Sequence, residues 1–272
     1  ADNIPKTFPN GYGSFYAMKY ELSQLQYADF LNTLTKQQQA QRIDKAPTNK
    51  EGTFAFRGAK ANRNGIVIRE PATNMKPADF ACDVKKDVNY NTINDGQNRA
   101  CNFLKWSDLA AYLDWAGLAP LTETAFEKLC RGPQKPVKKE FAWGTAKVTD
   151  ANTIRYDGTP REQAVDTLKP GSGLASHGYS GPTGPLRTGF GGTDSSTRKS
   201  IGAAYYGALE LSGNLWEMCV VVNKKGLQYT GRLGDGQLSP QGRANVSGWP
   251  AQNGEGAGFR GGGWNSGILA DF

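Results

Sequence analysis

The chain has 272 residues, 38% hydrophobic and 11% aromatic, which is enough apolar side chain for a packed core and too much for a disordered chain. Its net charge is +7, yet the basic residues are scattered, and the densest group (Lys135, Lys138 and Lys139) lies beside Pro133 and Pro136 and reads as a solvated loop. No basic stripe interleaved with aromatics offers a platform for nucleic acid, and no apolar run is long enough to span a membrane.

Ser23-Gln24-Leu25-Gln26 has the spacing of a capping box, in which hydroxyl and amide satisfy each other's backbone donors. Leu22, Leu25, Phe30, Leu31 and Leu34 then recur near helical spacing, so the pattern predicts an amphipathic helix over residues 24–34. A second helix is expected after Ser107 as its N-cap. Leu109, Tyr112, Leu113 and Ala116 would form its apolar face, and Gly117 stands where a left-handed C-cap is needed. A third is expected from Glu123 to Cys130, with Thr124 and Glu127 at capping-box spacing and Gly132-Pro133 to stop it. Beyond residue 140 the helical period gives way to short apolar runs, such as residues 215–222, separated by turns such as Gly234-Asp235-Gly236 and Gly261-Gly262-Gly263. That pattern predicts short strands held by long loops, and residues 159–192 read as a long surface excursion. With no repeat and no boundary, the expectation is one α+β domain over residues 1–272.

Cys82, Cys101, Cys130 and Cys219 include no CxxC and match no zinc spacing. A Cys82–Cys101 disulfide is the favoured pairing because the two bracket one loop, whose closure would contribute roughly 3 kcal/mol in the chain-entropy model. The alternative is four buried free thiols. Asp87, Asn89 and Asn91 alternate as the oxygen ligands of a calcium loop do, but Thr92 and Asn98 stand where an EF-hand needs Gly and Glu. Nearby Asn94 and Asp95 would complete an irregular site, or the segment is an Asx-turn.

Four segments, in one order, carry a resemblance. They are Phe15-Tyr16-Ala17-Met18-Lys19-Tyr20-Glu21 with the helix after it; Trp106-Ser107-Asp108 to Gly117 and on to Arg131-Gly132; Tyr206-Gly207-Ala208-Leu209-Glu210-Leu211-Ser212-Gly213-Asn214-Leu215-Trp216-Glu217; and Phe259-Arg260-Gly261-Gly262-Gly263-Trp264. Together they resemble the formylglycine-generating-enzyme (sulfatase-modifying factor) family, and the opening segment and insertions look most like secreted Bacteroidetes members. The resemblance implies a C-type-lectin-like fold with few helices and small twisted sheets. It also implies a domain incomplete at both ends.

Members of this family that oxidise a sulfatase cysteine hold copper(I) on two thiols, at positions matching Ser266 and Asp271. Neither residue is a thiolate, so no copper is expected. A branch with iron chemistry needs several histidines, whereas this chain has only His177, in a Gly/Ser loop where solvation is the ordinary fate. No nucleophile elbow is present either, so no catalytic residue is assigned.

The resemblance further implies a structural calcium at Asn214 and Glu217; the alternative is that Asn214 holds its turn by hydrogen bonds alone. Tyr229, Trp249 and Trp264 lie in late Gly-rich segments that form exposed ligand faces in lectin-like folds, with core filling as the alternative. The expected function is a non-catalytic extracellular or cell-surface module contacting other proteins of a surface or secreted assembly. The alternatives are a copper-dependent cysteine oxidase and a glycan-binding lectin-like protein.

Overall fold

The computed structural model describes residues 3–193 and 195–266, and its helices start where local side-chain hydrogen bonds begin them. The Ser23 hydroxyl accepts from Gln26 N–H, and the Gln26 side chain accepts from Ser23 N–H, opening α1 (Gln24–Asn32). This helix is shorter than its apolar pattern because Thr35 forms a second capping box with Gln38 and starts a separate turn, α2 (Lys36–Gln39). The buried Gln39 amide then donates to Leu31 O and Ala78 O, holding that turn to the core.

Strands β1 (Ile66–Glu70) and β2 (Asp79–Cys82) pair antiparallel, with Ile66 opposite Cys82. Asn32 at the end of α1 clamps β2, exchanging both hydrogen bonds with the Phe80 backbone (2.7 and 2.9 Å). Helix α3 (Trp106–Trp115) starts one turn-edge earlier than expected: Lys105, not Ser107, is the N-cap, and Asp108 accepts from its N–H. Its C-terminus agrees with the reading of Gly117. That residue has φ +68°, and Gly117 and Leu118 return their N–H groups to Asp114 O and Leu113 O. Tyr27, Phe30 and Leu31 of α1, Ile66 and Ile68 of β1, Phe80 of β2 and Tyr112 of α3 form the largest core cluster, with Phe30 edge-on to Tyr112.

Helix α4 (Glu123–Arg131) is capped by Thr122, not Thr124, through a bond from Ala125 N–H. Its Phe126, Leu129 and Cys130 pack with Ala204, Leu211 and Cys219 in a second cluster. The later strands are short. β3 (Val148–Asp150) pairs parallel with β6 (Gly173–Ala175), β4 (Ile154–Arg155) with β5 (Gln163–Ala164), and β7 (Glu217–Val220) antiparallel with β8 (Ala257–Arg260). Few helices, small two-stranded sheets and much irregular backbone make the α+β architecture that the resemblance implies. No helix among the described residues is long and apolar enough to cross a membrane.

Two further expectations are corrected. Residues 159–192 are not a surface excursion. Leu174, Leu186 and Phe190 are buried there, and the fully buried Glu162 takes Arg63 (2.8 Å), Arg99 Nε (3.0 Å) and the Arg187 N–H (2.9 Å). A buried carboxylate is tolerable with such partners, and they come from distant parts of the chain that no local pattern reveals. Nor are Cys82 and Cys101 linked: all four cysteines are free and buried. Cys82 and Cys101 belong to the largest core cluster, where each acts as a small apolar side chain.

Candidate functional site

Three of the four quoted segments meet at one buried turn. Asn214 sits at its centre with φ +60°, a left-handed conformation that asparagine tolerates better than most residues. Its Oδ1 accepts from Leu186 N–H (2.7 Å), and its Nδ2 donates to Glu21 Oε2 (2.5 Å). Its own N–H goes to Ser176 O, and its carbonyl accepts from Trp264 N–H, both at 2.8 Å. Glu21 reaches further, accepting Leu215 N–H at Oε1 (3.0 Å). The glycine-rich segment closes the turn: Gly213 N–H donates to Gly261 O, and a Cβ on Gly261 would run into Glu217 Oε2 and Leu211 O.

Around this clasp lie three inward-turned glutamates. Burial, then the neighbouring Glu210 charge, pushes Glu21 well above the usual carboxyl range, against the bonds from Asn214 and Leu215. Burial likewise lifts Glu210 to about 7 despite the Gly189 N–H (3.0 Å) and the nearby Arg187 charge. Glu217 is pushed up by burial and by Glu21, and neither of its carboxylate oxygens has a hydrogen-bond partner in another residue. Burial and mutual repulsion both favour the protonated form of carboxyls so placed.

The geometry separates the two residues paired as calcium ligands in the sequence reading. Both atoms of the Asn214 amide hold hydrogen bonds within the turn. Glu217 retains oxygens without a partner in another residue, and burial favours its protonated form. Glu21 and Glu210 were not singled out as site residues. Each stands as a lone acid in an otherwise apolar or aromatic stretch, and that was the available signal.

Above the clasp, an aromatic row reaches the surface. Phe259 (56% exposed) meets Trp216 (43% exposed) edge-on at 6.4 Å, Trp216 packs on Gly263, and the adjoining Trp264 meets Tyr179 (66% exposed) edge-on at 5.4 Å. Ser266 closes the row's far end. Its hydroxyl accepts from Gly263 N–H (3.1 Å), and its carbonyl accepts from Gly178 N–H. Of the three aromatics expected on a ligand face, the half-buried Trp264 is the one in this row. Tyr229 is 1% exposed, with its hydroxyl on Pro120 O, because a buried phenol needs a polar partner and finds one in the core. Trp249 is half-buried against the core and donates to Arg232 O. His177 is likewise not a solvated loop residue: it is 8% exposed, and its Nε2 lies 2.7 Å from Asp150 Oδ1.

The residues do not fit copper(I). Ser266 offers a hard oxygen already bound to its own turn, and Asp271 lies outside the described residues. The four cysteines are buried, Cys82 and Cys101 in the largest core cluster and Cys130 and Cys219 in the second, and burial pushes each thiol up.

A family model described as a sulfatase-modifying factor enzyme 1-like domain matches residues 9–269. No curated protein and no solved structure gives a significant match.

Proposed function

Because the chain belongs to the sulfatase-modifying factor enzyme 1-like domain family, we propose that it keeps that family's scaffold as a protein-binding module and has given up cysteine oxidation. The observation that carries this reading is Ser266. The position matching an active relative's thiol holds a hydroxyl used to close a turn, beside an exposed aromatic row. Exposed Trp and Tyr supply large, stiff contact area at low entropic cost, which is what a protein interface uses at its energetic centre. We place the module outside the cytoplasm or at the cell surface, as part of a larger assembly, on the likeness of its opening segment and insertions to secreted relatives. The free thiols lend that placement no support.

Native affinity capture from source cells, run with the parent chain and with Trp216→Ala and Tyr179→Ala, tests the proposal. The expected result is a partner held by the parent and released by both variants. Recovery of the parent as a solitary monomer, or equal capture by all three chains, contradicts it.

A further inference from the structure

The loop after β2 gathers Asp83, Asp87 and Asp95, with carboxylate oxygens within 4.8 Å of one another. Among the described residues no lysine, arginine or histidine forms an ion pair with any of the three. Acidic clusters on a surface are common, but this one is not merely a surface cluster. Asp95 is fully buried; its Oδ2 accepts the Thr92 N–H and hydroxyl, both at 2.7 Å, while its Oδ1 has no partner. Two residues on, the buried Gln97 donates Nε2 to Thr92 O and leaves its own Oε1 without a donor. Buried acceptors without donors are rare in folded proteins, and a bound cation is one way to satisfy them.

We propose that Asp83, Asp87 and Asp95 form a calcium site. The donor set is all oxygen and carries formal charges that only a hard cation offsets, and calcium tolerates the irregular geometry of a loop where magnesium demands an octahedron. Asp83 also organises the approach: its carboxylate accepts the N–H groups of Lys86, Asp87 and Val88, curling the loop so that the exposed Asp87 returns beside it. This ligand set revises the one read from sequence. Asn91 Oδ1 accepts from Cys82 N–H (2.8 Å), and the Asn89 N–H donates to Asp87 Oδ1. Of the triplet Asp87, Asn89 and Asn91, Asp87 is the one whose carboxylate belongs to the cluster.

Calorimetric titration of calcium into the chelator-treated full chain decides the matter. The expected result is saturable binding, weakened about tenfold or more by Asp95→Asn and by Asp87→Asn, and unchanged by Glu217→Gln. Asp87 is exposed, so that variant keeps the test valid if Asp95→Asn fails to fold. No binding by the parent chain, parent-like affinity in the Asp87 variant, or a loss confined to Glu217→Gln would overturn the assignment.

Discussion

Asn214→Ala is expected to melt on the order of 10 °C below the parent chain, whereas Ser266→Ala stays within about 2 °C of it. Removing the amide strands the Leu186 N–H and one Glu21 oxygen where water does not reach them easily, at about 1–3 kcal/mol each. Alanine is also strained at φ +60°, a conformation asparagine tolerates better, which adds about 1 kcal/mol. Ser266 loses one bond, to Gly263 N–H, in a half-exposed turn, and a change of that kind costs under about 1 kcal/mol. Thermal melts of both variants beside the parent check the contrast. Equal melting temperatures would remove Asn214 from the centre of the fold.

The second large effect is on pH. In the folded chain Glu210 keeps its proton up to about pH 7, while in the unfolded chain it loses it near the ordinary 4.5. Its contribution to stability is therefore full below pH 4.5, declines as pH rises through the window to about 7, and is flat beyond. Integrated over that window the loss is about 3 kcal/mol. Glu210→Gln keeps an oxygen for the Gly189 N–H and cannot titrate. Its stability, measured by urea unfolding at pH 4.5 and pH 8, should lack that decline, leaving it more stable than the parent at pH 8. Glu21 and Glu217 remain in both chains and both feel the Glu210 charge, so the difference between the two curves reports the loss of that charge from the cluster. Parallel curves would show that Glu210 ionises normally.

What could be read from sequence follows from the range of the interactions involved. Ser23 with Gln26, and Gly117 after α3, act within a few residues, so their spacing reveals them. Ser107 looked like a cap because serine favours that role, but Asp108 reaching back to Lys105 N–H sets the true start, and both readings fit the same letters. The family segments brought Asn214 and Glu217 into view without disclosing their different fates. The partner that occupies Asn214, Glu21, is 193 positions away, and the unpartnered state of Glu217 depends on how three segments converge. Residues 159–192 looked solvated because they are polar and Gly-rich; the buried Glu162 that pins them answers to arginines at positions 63 and 99. Tyr229 and Tyr179 are alike as letters, and only the fold sends one phenol into the core and the other to the surface.

The central claim, a retained scaffold without the oxidase chemistry, is tested most directly by incubating the intact protein with copper(I), oxygen and a cysteine-containing sulfatase peptide, and following the peptide mass. The peptide's cysteine is expected to stay unconverted, with or without copper. Conversion of that cysteine to formylglycine would contradict it.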